Sequence, residues 1–322
     1  MKSGLTGKAV GGPKIVIVGA GFVGTTFAYS LLIHGLASQI VIIDVDKERA
    51  EGEVMDLNHG MPFAYPARIQ TGEYSDCKDA DIIVIAVDKG QKIQQSRLEL
   101  AAGNFELLKQ IVPSITEYNS EGILLVVTNP LDVMTYAALK LSGFPPNRVI
   151  GSGTILDTAR LRYLLGEYLQ VDPRNVHAYV IGEHGDSEVP VWSLANVAGI
   201  RLKDYCPICK VPYSPEDLND LFLKVRNAGY EIAKRKGRTN YGVALSLTKI
   251  VESIVRDENA IVTVSCLLQD YYDVRNICLS VPVVLNGAGV KEVIRLPLAG
   301  DEVAAFQKSA VVVKKVADSL GL

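Results

Sequence analysis

The chain is short of the residues that build disulfide scaffolds and metal centres: its 322 residues include five cysteines and four histidines. An odd number of cysteines makes no closed disulfide framework, and Cys266 and Cys278 fall in apolar runs, so reduced thiols are expected. One spacing is suggestive. Cys206-Pro207-Ile208-Cys209 would suit a working dithiol or half of a zinc site, but it falls in a proline-rich stretch that reads as a surface connection. No second pair completes four ligands, so no metal is expected. An excess of one charge is also missing, since 33 Lys and Arg face 36 Asp and Glu for a net charge of −3. Without a basic stripe, neither a nucleic acid nor a membrane surface is expected as a partner. No apolar run approaches the roughly 20 residues of a membrane span, and the first 13 residues lack the apolar core of a secretory signal. The expectation is a cytoplasmic protein with a flexible tail over 1–13 and a small-molecule ligand.

What is present is a large apolar fraction, 48% of residues, enough for a sizeable core. Residues 14–19, 39–44, 81–86 and 122–128 read as strands buried on both faces, the pattern of a parallel sheet. Residues 25–34, 47–58 and 98–118 have helical spacing between them. This β-α alternation predicts a Rossmann-type doubly wound α/β fold over 14–151. Beyond it, a helix at 157–169 precedes strand-like segments at 175–181, 260–267, 276–284 and 290–296. Helices are expected at 215–236, 241–256 and 301–320. Hairpin-spaced strands beside long helices predict an α+β substrate domain over 152–322.

Gly19-Ala20-Gly21-Phe22-Val23-Gly24 follows the first strand and opens a helix read from Thr25, and Asp44 ends the next strand. Glycines allow a tight turn and close backbone approach, the helix N-terminus attracts a diphosphate, and a carboxylate at Asp44 suits a ribose hydroxyl. Asp44 would repel a 2′-phosphate, which favours NAD over NADP. At the end of a later strand, Asn129 in Thr128-Asn129-Pro130 either reaches a nicotinamide or substrate oxygen or merely starts the following helix.

His184, in Gly182-Glu183-His184-Gly185-Asp186, follows a strand in a glycine-flanked loop. Asp157 and Arg160, three apart on a helix, share one face, whereas Arg162 points about 200° away from Arg160. A carboxylate on one ring nitrogen would stabilise the imidazolium, and the other nitrogen could then protonate a carbonyl oxygen. Arg160 can grip a substrate carboxylate with two prongs. These are the polar parts that reduction of a 2-oxo acid requires.

Together these motifs resemble the L-lactate dehydrogenases, and the likeness runs from about Lys14 to the C-terminus. It is carried by Gly19 to Gly24, Asp44, Thr128 to Pro130, the run Gly151-Ser-Gly-Thr-Ile-Leu-Asp-Thr-Ala-Arg160, Gly182 to Asp186, and Lys236-Gly-Arg-Thr239. The resemblance implies NAD as cofactor, pyruvate and L-lactate as substrates, His184 as acid and base, and Asp157 as its partner. It also implies Arg160 as the carboxylate clamp, Arg97 as a carbonyl-polarising arginine on a mobile loop, and Thr239 as a wall near the substrate methyl. Malate dehydrogenases carry an arginine six residues before the loop arginine, to pair a second carboxylate. Here that residue is Gln91, the lactate-type choice. In allosteric bacterial members the residues matching Arg162 and His177 meet fructose 1,6-bisphosphate across a subunit interface. That implies an activator site and a homotetramer, the plainer alternative being a surface arginine and a strand histidine.

One stretch departs from the family pattern. Where relatives carry Thr-Ala-Gly-Ala and a glycine-bearing loop, this chain reads Ala86-Val87-Asp88-Lys89-Gly90-Gln91-Lys92-Ile93-Gln94-Gln95-Ser96-Arg97. Asp88 replaces a glycine where the backbone passes the cofactor, so it would crowd or repel NAD unless local adjustment absorbs it. The altered loop leaves two further readings open: an enzyme for a bulkier 2-oxo acid, or an NAD-binding relative with impaired catalysis.

Overall fold

The computed structural model describes residues 12–89 and 97–322, with Arg97 described by its backbone alone. The chain opens with β1 (Lys14–Val18), α1 (Phe22–His34), β2 (Gln39–Ile43), α2 (Lys47–His59) and β3 (Arg68–Thr71). It continues through β4 (Ile82–Ile85), α3 (Arg97–Thr116), β5 (Ile123–Val126), α4 (Leu131–Ser142) and β6 (Val149–Gly151). These strands pair in parallel in the order β3-β2-β1-β4-β5-β6. This is the doubly wound arrangement the sequence predicts. Apart from Lys14 and Gln39, every residue of β1, β2, β4 and β5 is buried, as strands with helices on both faces must be. The strand order reverses at β1, which opens a crevice at the carboxyl ends of β1 and β4.

The later elements are α5 (Ile155–Leu169), β7 (Val176–His177), β8 (Val180–Ile181), β9 (Val189–Pro190), β10 (Asn196–Val197), β11 (Ile200–Arg201), α6 (Leu202–Cys209) and α7 (Pro215–Lys236). They are followed by α8 (Tyr241–Val255), β12 (Ala260–Leu268), β13 (Ile277–Asn286), β14 (Gly289–Val293) and α9 (Gly300–Ser319). Strands β12, β13 and β14 are antiparallel and continue the same sheet beyond β6, through the pair Ser265–Gly151. A second apolar cluster joins Leu161, Leu165 and Leu169 of α5 to Leu218, Leu221, Phe222 and Val225 of α7. Among the described residues, no helix is long and apolar enough to cross a membrane.

Several local expectations change. Helix α1 begins at Phe22 rather than Thr25, because Thr25 N–H already donates to Gly21 O at 2.9 Å as a helical bond. Residues 175–181 are two strands in different sheets, β7 pairing with β10 and β8 with β9. Side chains interrupt the segment between them: Thr158 Oγ1 accepts from Val180 N–H at 3.0 Å and Arg162 Nε donates to Ala178 O at 3.1 Å. The Cys206–Cys209 stretch is helical, not a connection, since Leu202 and Cys206 are one turn apart and both buried. Strand β14 ends at Val293, short of the expected 296, where tyrosine hydroxyls replace the ladder: Leu296 N–H donates to Tyr271 Oη at 3.1 Å.

Candidate active site

The turn between β1 and α1 owes its shape to glycine. Gly19 has φ +114°, and a Cβ there would strike Ala86 O, with Ala86 C at 2.9 Å. A Cβ on Gly24 would collide with Gly19 O, so that glycine lets the helix lie against the strand. Gly21 differs: a Cβ there would meet nothing within 4 Å. That open space lies at the N-cap of α1, which has no side-chain cap and no acidic residue in its first turn. Uncapped N–H groups at the positive end of a helix, beside room for a ligand, fit the diphosphate of a dinucleotide. Asp44 Oδ2 accepts from Ala20 N–H at 2.6 Å and Oδ1 accepts from Asp46 N–H at 2.9 Å. The carboxylate thus braces the turn, and with about four lone-pair sites it retains acceptor capacity for a ribose hydroxyl.

Phe22 is half-exposed at the head of α1, with Arg238 Cζ 3.2 Å from its ring centroid and Arg49 Cζ at 5.7 Å. Asn240 Nδ2 also donates to Thr26 Oγ1 of α1 at 3.0 Å. Together these contacts hold the half-buried Thr239, between Arg238 and Asn240, beside the cofactor turn.

Asn104 of α3, fully buried, organises the ends of β4 and β5. Its Oδ1 accepts from Lys89 N–H at 2.9 Å, while Nδ2 donates to Asn129 O at 2.7 Å and to Asp88 Oδ1 at 3.3 Å. The departure at Asp88 is therefore met by a buried amide. Asn129 presents its side chain to solvent just past β5. Gln91 and the side chain of Arg97 lie outside the described residues.

The cluster around His184 is assembled from separate elements. His184 Nδ1 and Asp157 Oδ2 are 2.6 Å apart, and Arg160 Nη1 donates to Asp157 Oδ1 at 2.8 Å. Asp157 is nearly inaccessible, at 3% side-chain exposure, whereas His184 retains 29%. Burial opposes charge on the ring, but the Asp157 carboxylate, by its charge and its hydrogen bond, outweighs this and raises His184 to about 9. Burial likewise works against ionised Asp157, yet His184 and Arg160 hold it below the usual carboxylate range.

Sequence reasoning missed the supports. Asp132, in the first turn of α4, accepts from His184 N–H at 2.7 Å through Oδ2, and from Ser265 and Ser280 hydroxyls at 2.7 and 3.3 Å through Oδ1. Burial, partly offset by these bonds, pushes Asp132 up to about 6. Ser309 of α9 accepts from Glu183 N–H at 2.8 Å. Glu188 is 6% exposed, and it, Asp157 and His184 each offer a polar atom within 4.8 Å of the others. Burial and then the charge of Asp157 drive Glu188 well above the ordinary carboxylate range. No local pattern in the sequence marks either Asp132, between Leu131 and Val133, or Glu188, after the polar Gly185-Asp186-Ser187.

Arg162 and His177 are drawn to one edge. Arg162 donates to Ala178 O, next in sequence to His177, and lies 5.6 Å over the Tyr179 ring. Burial lowers its pKa from the usual arginine value. His177 is exposed on β7.

A doubly wound sheet with an uncapped glycine turn at its switch point, in a chain that also pairs a histidine with a buried carboxylate, fits the class of NAD-dependent oxidoreductases. Residues 13–151 match the NAD binding domain of lactate/malate dehydrogenases, and residues 154–320 match the alpha/beta C-terminal domain of the same enzymes. The chain belongs to the lactate/malate dehydrogenase family. It is 50% identical to L-lactate dehydrogenase of Acetivibrio thermocellus over 309 residues, 96% of this chain and 98% of that one. It is 49% identical to a probable L-lactate dehydrogenase of Schizosaccharomyces pombe, covering 96% and 93%. A crystal structure of MGS-M5, a lactate dehydrogenase from a Medee basin deep-sea metagenome library, superposes with TM-score 0.93 at 43% identity, covering 97% of this chain and 100% of that one. The ligand-bound minor L-lactate dehydrogenase of Enterococcus mundtii superposes equally well, TM-score 0.93 at 40% identity, over 96% and 98% of the two chains.

Proposed function

We propose that the protein is an L-lactate dehydrogenase that reversibly reduces pyruvate to L-lactate with NADH. The observation that carries this reading is the chain of contacts Arg160–Asp157–His184. NAD, when bound, supplies the hydride acceptor and donor. Gly21, the head of α1 and Asp44 would hold it, with Asn129 at the crevice edge. Arg160 spends one nitrogen on Asp157, and its remaining N–H donors are suited to a substrate carboxylate. Asp157 fixes the His184 ring through Nδ1, which leaves Nε2 to protonate the carbonyl oxygen. Arg97 would polarise that carbonyl, while Gln91 and Thr239 limit the substrate to a small monocarboxylate. An amide at Gln91 leaves the second carboxylate of a dicarboxylic acid without a counter-charge.

Arg162 and His177 form the activator site for fructose 1,6-bisphosphate in this reading, which entails a homotetramer and a cytoplasmic, fermentative role in glycolysis. Support comes from the bond of Arg162 to Ala178 O, which brings the guanidinium to the residue next to the exposed His177. Steady-state assays with NADH and pyruvate, 2-oxoisocaproate or oxaloacetate test the whole. Pyruvate is expected to be preferred, with a lower apparent KM when fructose 1,6-bisphosphate is added. Faster turnover of oxaloacetate sinks the Gln91 argument, preference for 2-oxoisocaproate transfers the reading to a bulkier substrate, and no response to the bisphosphate removes the activator site. Sedimentation velocity with and without the bisphosphate tests the tetramer.

A further inference from the structure

Glu188 is a buried ionisable group beside His184 that the proposed chemistry leaves unused. It lies between the catalytic loop and β9, with its backbone N–H on Gly185 O at 3.1 Å. Its Oε1 is buried and has no hydrogen-bond partner among the described residues. The groups that face it are Asp157 and Arg160 from α5, His184 from its own loop, and Arg226 from α7. Arg226 is turned partly away, with Nη1 donating to Asp186 O at 3.2 Å. Asp132 of α4 completes the surroundings behind His184.

Charge decides what Glu188 can be in this setting. Asp157 is fixed as a carboxylate by bonds to both His184 and Arg160, and Asp132 accepts three hydrogen bonds. Among the described residues buried around it, these two negative charges balance the imidazolium and the Arg160 guanidinium; Arg226 is exposed, solvated and turned to Asp186 O, so it stands outside that buried set. A third carboxylate would leave the buried set net negative, with one buried oxygen lacking a hydrogen bond, and would oppose an anionic substrate. An uncharged acid avoids both costs. We infer that Glu188 is carried as a protonated carboxylic acid, a positioning residue whose neutrality fixes the charge of the pocket so that one substrate carboxylate is admitted beside His184 and Arg160. The inference rests on the proposed dehydrogenase reading for its substrate. The protonation state itself does not depend on that reading.

Infrared difference spectroscopy of the parent against Glu188→Gln at neutral pH tests it without substrate. The expected result is loss of a protonated-carboxyl C=O band in the variant. Loss of carboxylate bands instead overturns the inference. Titration of the parent alone between about pH 6 and 10 should show a protonated-carboxyl band disappearing late, so the test survives a variant that fails to fold; no such band overturns the proposal equally. Kinetics supply an independent readout. If Glu188 is neutral, the midpoint of the alkaline fall in kcat/KM for pyruvate stays within about 0.3 pH unit in Glu188→Gln. If it is ionised, removing a charge so close to His184 lowers that midpoint by about one unit or more, and the inference fails. Absence of pyruvate turnover in the parent would refute the dehydrogenase reading while leaving the infrared result to stand or fall on its own.

Discussion

The turn between β1 and α1 is made of backbone, whereas the cluster around His184 is made of side chains. In the turn, Gly19 and Gly24 are close in sequence and let main-chain atoms approach one another, and Asp44 at the end of the neighbouring strand braces the main chain of the turn. In the cluster, Asp132, Asp157, His184, Ser265 and Ser280 arrive from α4, α5, the loop after β8, β12 and β13. A site made of backbone fails when atoms are added. A site made of charges fails when one partner is removed, because the others remain buried without it.

The largest break of this contrast is expected from His184→Ala, which should lower pyruvate reduction by about 10³-fold while leaving NADH binding intact. Steady-state rates with NADH fluorescence titration check it, and turnover near the parent rate would disprove the assignment. Within the turn, Gly24→Ala should destabilise the fold by about 3 kcal/mol, since the added Cβ collides with Gly19 O. Gly21→Ala should keep the parent stability and weaken NADH by about tenfold, or about 1.4 kcal/mol, because its Cβ enters open space rather than protein. Thermal unfolding beside NADH titration separates the two glycines; equal effects on both readouts would show that the turn is not divided in this way.

The pH dependence sharpens the cluster. With His184 as the proposed proton donor, reduction would need the imidazolium, so its rate should fall as pH rises through about 9, the raised value of His184, while lactate oxidation gains over the same interval. The linked stability has the same sign: it is fully present below the ordinary histidine value of about 6.5 and is lost as pH rises through the folded value. Asp157→Asn removes the charge that lifts the ring, so the alkaline limb of reduction should move down toward about 6.5; an unmoved limb would assign the shift elsewhere. The smallest effect is expected at the departure from the family pattern. Asp88→Gly should change the NADH dissociation constant by less than about threefold, since Asp88 is taken up by Asn104. A larger change in isothermal titration would mean that Asp88 meets the cofactor.

Legibility in the sequence follows the same division. The strands β1, β2, β4 and β5 were readable because burial on both faces leaves continuous apolar runs. The glycine turn was readable because its chemistry is local. The pairing of Asp157 and Arg160 followed from helical spacing, and the partnership of Asp157 with His184 was expected from chemistry before the structure placed them together. Asp132 was not readable: three residues after Asn129 and flanked by leucine and valine, it carries no local mark of its role beneath His184. Asn104 likewise looks like one polar residue in an amphipathic helix, although it joins Lys89, Asp88 and Asn129. The stretch 175–181 misled because its alternation is compatible with a single strand, while its break depends on Thr158 and Arg162 from another helix.

By itself the sequence determined the doubly wound sheet, the glycine turn and the identity of the histidine, carboxylate and guanidinium, because each depends on a periodicity or spacing within one or two adjacent elements. Tertiary structure alone decided which buried acids surround His184, and how Asp157 divides its oxygens between the imidazole and Arg160. Those outcomes depend on desolvation and on charges brought together across the fold, and neither quantity exists until the chain has closed around them.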